Sequence, residues 1–284
     1  MKISRCLLSI IAAAAFFYSA AAQSTNPTGS SAIPESDPAL TNATPSTSTV
    51  STENLSPLSP IPFNAQYDVS LNGNNQLKGS RTLSKSKNSN GEKTYTLEYR
   101  AEHLLFKIKE QSTFQWINNR LIPQQYTSER SHLFSSRKKS VRFDWPSNTA
   151  NFTYKKKNGR FTLEQGVTDP LSTLFVIATE IQQGVTNIRV RETDDNDIET
   201  REYSVDGLEM LTTPIGHLET IKVSLNRKDS TQIWLAVDLN YLVVKVRKES
   251  KNGDTYELNI REYDGPKIPR DPPDFKAKKT NNNV

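Results

Sequence analysis

Apolar and polar residues alternate with period two almost without a break from Phe63 to Asp264. Tyr67, Val69 and Leu71 alternate with polar residues, as do Tyr95, Leu97, Tyr99 and Ala101, then Phe106 and Ile108, and then Phe114 and Trp116. The pattern continues through Val141, Phe143 and Trp145, through Phe152, Tyr154, Phe161 and Leu163, and through Ile188, Val190, Tyr203 and Val205. It closes with Ile221, Val223 and Leu225, with Ile233 and Leu235, and with Tyr256, Leu258 and Ile260. Successive side chains of a strand point to opposite faces, so this pattern predicts strands with one face in a core and one in solvent. Asn-Gly pairs at 72–73, 90–91, 158–159 and 252–253 punctuate the run. Such pairs supply the two positive-φ residues of a type I′ hairpin turn, and the third and fourth lie between the clearest strands. A meander of antiparallel strands is the expected topology.

One segment departs from the alternation. Leu171, Leu174, Phe175, Ala178 and Ile181 follow i, i+3, i+4, i+7 spacing after Asp169-Pro170. Asp suits an N-cap, Pro the first helical position, and Gly184 the left-handed residue that ends a helix. A single amphipathic helix over 169–183 must bury its apolar stripe against the sheet. The fold class expected is therefore mainly β: a large curved antiparallel sheet or partly open barrel with one helix packed on it.

The ends of the chain read differently. Lys2 and Arg5, an apolar run from Cys6 to Phe17, and Ala20-Ala21-Ala22 before Gln23 form the three-part layout of a secretory signal peptide, cleaved between Ala22 and Gln23. The apolar run is shorter than the roughly 20 residues a membrane anchor needs. Cys6 precedes that run, so it cannot be the lipidated Cys that follows it in a lipoprotein signal. Residues 23–62 are dominated by Ser, Thr, Pro, Asn and Ala, and residues 265–284 by Pro, Lys and Asn. Neither segment can bury enough apolar surface to offset the entropy of ordering it, and both are expected to be disordered. The expected layout is a signal peptide over 1–22, a linker over 23–62, one β domain over 63–264 and a tail over 265–284. The mature product is expected to be periplasmic, not a lipoprotein, and without a transmembrane segment.

Composition narrows the chemistry. The formal net charge is +5, and removal of Lys2 and Arg5 lowers it by two, a balance that does not call for a nucleic-acid partner. Cys6 is the single cysteine, so the mature chain has no disulfide and no thiolate metal site. There is no G-x-S-x-G elbow, and His103, His132 and His217 lie far apart, without H-E-x-x-H spacing. The acidic run Asp194, Asp195, Asn196, Asp197 and Glu199 has Glu at the sixth position, where a calcium loop needs Gly, and reads as a solvated hairpin loop. Glu98, Glu102, Glu110, Glu129 and Asp144 fall on strands, where outward cross-strand pairing with Lys or Arg is the ordinary role. Basic runs at Arg137-Lys138-Lys139 and at Lys155-Lys156-Lys157 with Arg160 read as solvated charge, the alternative being attraction to anionic headgroups. No catalytic constellation, metal site or cofactor is expected. Trp116, Trp145 and Trp234 have apolar strand parity. They are either core anchors, fully buried, or the lining of an apolar groove on a curved sheet, half-buried.

The run Tyr203-x-Val205-x-Gly207-x-Glu209-x-Leu211-x-Thr213-Pro214-x-Gly216 leads into Ile221-Lys222-Val223, then Trp234-Leu235, Asp238 and Tyr241-Leu242. With Glu110-Gln111-Ser112-x-Phe114, Phe143-Asp144-Trp145 and Asp169-Pro170-Leu171-Ser172, it resembles the DUF3108 family of exported bacterial proteins over residues 63 to 264. Val243 stands where the family pattern often has a Pro before the next strand. The resemblance implies a periplasmic, mostly antiparallel β domain and brings no catalytic residues with it. A looser likeness, of fold alone, links the chain to envelope carriers of lipids and lipoproteins, which wrap a curved sheet around a helix. The expected function is non-enzymatic: envelope maintenance, or binding of an apolar ligand or partner segment in the curved sheet. The partner would be a lipid, an envelope polymer or another envelope protein. An interaction module using a sheet edge and a glycan-acting hydrolase are the alternatives.

Overall fold

The computed structural model of the protein describes residues 58–103, 106–132, 135–154, 157–193, 197–225, 230–273 and 275. The signal segment, most of the linker, the end of the tail and Asp194 to Asn196 of the acidic run lie outside the described residues. Among the described residues, fifteen strands form one sheet. The first eight are β1 (Phe63–Leu71), β2 (Asn74–Lys87), β3 (Lys93–His103), β4 (Phe106–Ile117), β5 (Arg120–His132), β6 (Ser135–Asp144), β7 (Thr149–Tyr154) and β8 (Lys157–Thr162). After β9 (Val167–Thr168) comes the helix α1 (Thr173–Gln182). The chain then forms β10 (Asn187–Thr193), β11 (Ile198–Thr213), β12 (Gly216–Leu225), β13 (Thr231–Ala236), a 3₁₀ turn at Val237–Leu239, β14 (Leu242–Glu249) and β15 (Thr255–Asp264).

The order β8-β7-β6-β5-β4-β3-β2-β1-β15-β14-β13-β12-β11-β10-β9 joins two meanders through the antiparallel pair β1 and β15. All pairs are antiparallel except β9 with β10, which is parallel. The two ends of the order, β8 and β9, do not pair, so the curled sheet stays open. α1 lies inside the curl. It packs against both β5 and β10, its Phe175 ring stands 5.4 Å from Phe114 of β4, and Arg81 of β2 reaches the carbonyl of Leu171 just before it. Leu174, Ile177, Ala178 and Ile181 of the helix are buried with Leu97, Ile108, Val223 and Leu258 of the sheet.

The helix begins later than the spacing predicted. Asp169 does cap the chain, but by closing a turn: Oδ1 accepts the backbone N–H groups of Leu171 and Ser172, each at 3.0 Å, and helical geometry starts at Thr173. Its other end follows the prediction. Gly184 is left-handed at φ 76°, its N–H bonds Ile181 O, and that of Val185 bonds Glu180 O, which is the Schellman pattern.

Turn chemistry corrects three of the four Asn-Gly assignments. Only Asn72-Gly73 has both residues at positive φ (51° and 80°). At 90–91 and 252–253 the glycine alone is positive, in longer loops. Asn158-Gly159 lies inside β8, and its glycine makes room for the Phe152 ring of β7, whose tip an added Cβ would approach to 2.7 Å and displace. Two further pairs are fully left-handed: Asn240-Tyr241 (φ 57° and 58°), before β14, and Asn118-Asn119 (φ 49° and 59°), joining β4 to β5. Asn tolerates that region because its short side chain bonds locally.

Packing extends past the expected limits of 63 and 264. Leu58 and Pro60 are buried, and Leu58 N–H donates to Gln182 Oε1 at the end of α1. On the far side, Ile268 N–H donates to Asp238 O. Asn240 ties the two straps together, donating to Ser59 O (3.0 Å) and accepting from Arg270 (3.3 Å).

Candidate functional site

The concave face carries charge as well as apolar surface. One cross-strand row runs Ala65, Arg81, Tyr99, Glu110, Ser128, Lys139 from β1 to β6. All six are buried. Glu110 and Lys139 therefore do not take the solvated positions their residue types suggested. Glu110 Oε1 accepts from Ser128 Oγ (3.1 Å) and Arg130 Nη2 (2.8 Å). Lys139 lies 5.8 Å from the centre of the Tyr126 ring. Of the other predicted carboxylates, Glu102 and Glu129 pair across strands with Lys107 and Lys138, Glu98 pairs with Arg100 of its own strand, and Asp144 accepts from Ser147 N in the turn after β6.

A second polar cluster fixes the start of α1. Asp169 Oδ2 accepts from Ser112 Oγ of β4 (2.6 Å) and from Ser172 Oγ (2.7 Å), so its carboxylate has four donors. Glu192 of β10 accepts from Arg201 Nε (2.8 Å) and from the Thr173 hydroxyl (2.8 Å). Arg201 also pairs with Glu199 at 3.1 Å. Burial raises the carboxyl pKa of both Asp169 and Glu192 above the usual range, and these donors oppose the rise. Each acid is saturated and sealed from solvent, which suits it to holding the helix in register.

The accessible feature is a groove of about 930 Å³ on the side of α1 where the sheet stays open. One wall is the β4–β5 hairpin, from Trp116 to Ile122, together with Trp145 after β6. The opposite wall is Val176, Thr179 and Glu180 of α1, and its floor is closed by Gln165 to Thr168 and Arg191. The left-handed Asn118-Asn119 turn brings Trp116 opposite Leu121 and leaves Ile117 48 % exposed. Trp145 is held rigidly: its Nε1–H donates to Pro123 O at 2.7 Å, and its ring stacks on Phe143. Arg191 pairs with Glu164 and bonds the carbonyl of Gln165, which fixes the loop at the floor.

Of the three tryptophans selected by parity, two meet and one does not. Trp116 and Trp145 line the groove together and are half-buried. Trp234 sits on β13, buried, with Lys222 and Lys245 at 5.1 and 5.0 Å from its ring. Sequence reasoning missed Ile117, the Asn-Asn turn and the helix face; Asn-Asn between two strand patterns was the available signal. Among the described residues no group of three His, Cys, Asp or Glu side chains is placed to hold a metal ion. Nor is any described helix long and apolar enough to cross a membrane.

A protein-family model, "Protein of unknown function (DUF3108)", matches residues 66–260. No curated protein matches the sequence. Two solved structures are similar in outline. A β-barrel-like protein of domain of unknown function DUF1849 from Brucella abortus has 9 % identity and a TM-score of 0.47, over 72 % of this chain and 98 % of that one. A candidate lipoprotein from Parabacteroides distasonis has 11 % identity and a TM-score of 0.28, over 73 % of this chain and 97 % of that one.

Proposed function

The chain belongs to the DUF3108 family, and we propose that it is an exported, non-enzymatic binding protein of the cell envelope that holds an apolar, lipid-like chain in the groove beside α1. The groove itself carries this reading: about 930 Å³, with Trp116, Ile117, Trp145 and Val176 in its walls. That volume lies within the range of small-molecule sites, which combine apolar and aromatic walls with a few polar groups. The charged groups here are Arg120 and Glu180 in the walls and Arg191 at the floor. They suit a ligand with an apolar body and a polar end. Glu180 is the one carboxylate among the lining residues, whereas glycoside cleavage uses two acting across the bond. Export rests on the leader at 1–22.

The test uses the mature protein from Gln23 and N-phenyl-1-naphthylamine, whose fluorescence rises in apolar sites. Saturable binding is expected, displaced by a fatty acid or a lysophospholipid. Trp116→Ala with Trp145→Ala should weaken it at least tenfold while the circular dichroism spectrum is unchanged. Absence of saturable probe binding, together with no lipid mass on the protein purified from the envelope, refutes the proposal.

A further inference from the structure

A second cavity lies on the other side of α1 and is unlike the groove. It offers about 30 Å³ of free space, room for two or three water-sized groups. Its walls are Ile61 and Phe63 from the N-terminal strap and β1, Leu174, Phe175 and Ala178 from α1, and Leu239 to Val243 before and within β14. Tyr263 and Pro266 complete the mouth, and Arg81 is the one charged residue that lines it.

Arg81 is 4 % exposed. A guanidinium presents five N–H donors. Here Nη2 reaches Leu171 O at 3.3 Å, and Nε has no partner among the described residues. No described carboxylate forms an ion pair with it. Glu110 lies two places along the inward row, beyond Tyr99; its charge acts on Arg81 through space, but its Oε1 serves Ser128 and Arg130 and its buried Oε2 has no hydrogen-bond partner among the described residues, so none of its oxygens bonds the guanidinium. Asp238, on the 3₁₀ turn, does not line the cavity. Buried cations are ordinarily paired, because leaving one without acceptors forfeits its hydration for nothing.

We propose that this cavity is a binding site for the carboxylate of a small organic acid, with the Arg81 guanidinium as its anchor. A carboxylate is planar and accepts two parallel N–H bonds from a guanidinium, so it satisfies the donors that the fold leaves open. The apolar walls accept a methyl or a short alkyl tail. The space excludes a sugar or a phosphate ester. This site is separate from the groove, since α1 lies between them and the two share no lining residue. It does not depend on what the groove binds.

The mature protein is titrated with acetate, then with propionate, at pH 7 and constant ionic strength held with chloride. Two signals are followed: the melting temperature and, in protein labelled with ¹⁵N-arginine, the Arg81 Nε–H resonance. Acetate at tenfold excess over its Kd should raise the melting temperature by about 3–5 °C and shift that resonance saturably. Arg81→Lys should weaken binding at least tenfold, because it keeps the charge and loses the fork. Ala178→Leu should abolish binding by filling the cavity with Arg81 in place. Tighter binding of propionate than acetate identifies an acid with a short alkyl tail as the ligand; acetate alone identifies a small acid. An Arg81 resonance that does not move in up to about 100 mM acetate, or stabilisation that acetate and chloride give equally and that survives both substitutions, overturns the proposal.

Discussion

Replacing Asp169 should separate the hydrogen-bonding role of this buried acid from its charge. The carboxylate accepts from Leu171 N, Ser172 N, Ser112 Oγ and Ser172 Oγ at 2.6–3.0 Å, and it is wholly buried. Asp169→Ala strands three of those donors. Ser172 Oγ keeps a contact of 2.8 Å with Thr168 Oγ1. At about 1–1.5 kcal/mol for each stranded buried donor, the loss is about 3–5 kcal/mol. Asp169→Asn retains an acceptor oxygen for the two backbone N–H groups, and its amide donates to hydroxyls that rotate to accept, so its cost should be about 1–2 kcal/mol. Guanidinium unfolding followed by far-ultraviolet circular dichroism measures both, with the m-value unchanged. Because Asp169 positions α1, and α1 is a wall of the groove, the Ala variant should also lose hydrophobic-probe binding. A cost below about 1 kcal/mol for Ala, or equal costs for Ala and Asn, refutes the view that four directed hydrogen bonds fix the helix start.

Other outcomes follow from the same structure. Arg201→Met removes the partner of buried Glu192 and should destabilise by about 3–5 kcal/mol, less when combined with Glu192→Met, which a double-mutant cycle in denaturant reads directly. Gly184→Ala places a Cβ on the left-handed residue at φ 76° and should cost about 1 kcal/mol in thermal or denaturant unfolding. The raised carboxyl pKa values of Asp169 and Glu192 mean that the folded state holds these protons more tightly than the unfolded chain. Their contribution to stability is therefore greatest at acid pH and falls as pH rises from the ordinary carboxylate range to the folded-state values. Unfolding free energies between pH 4 and 7 should show this fall in the wild type and a shallower one in Asp169→Asn; equal slopes would contradict it.

The alternation of residues 63–264 made the strands and the inward-facing Tyr67, Val69, Leu97, Ile108, Val223 and Leu258 legible in advance, and its interruption did the same for α1. That legibility has a physical basis: a strand has a strict side-chain period of two, and one buried face selects apolar residues at alternate positions. The same rule hid Arg81, Glu110 and Lys139. They occupy inward positions by parity, but polar residues at such positions look identical to solvated ones until the neighbouring strands supply Tyr99, Ser128 and Tyr126. Turns failed for a related reason. Asn158-Gly159 has turn composition, yet its glycine answers to the Phe152 ring across the strand pair, a contact between residues whose pairing the local sequence does not encode.

The sequence by itself determined the mainly β class and the position of α1, because each is a local or compositional property. It also selected Trp116, Trp145 and Trp234 as equals. Only the tertiary structure divided them, placing Trp116 and Trp145 across from α1 and burying Trp234 beneath two lysines. It alone set α1 inside the curled sheet, with an apolar groove on one side and the Arg81 cavity on the other. Both sites arise where distant strands and the helix converge. Their geometry depends on how far the sheet curls before its edges fail to meet, a sum over every strand pair that no single segment carries.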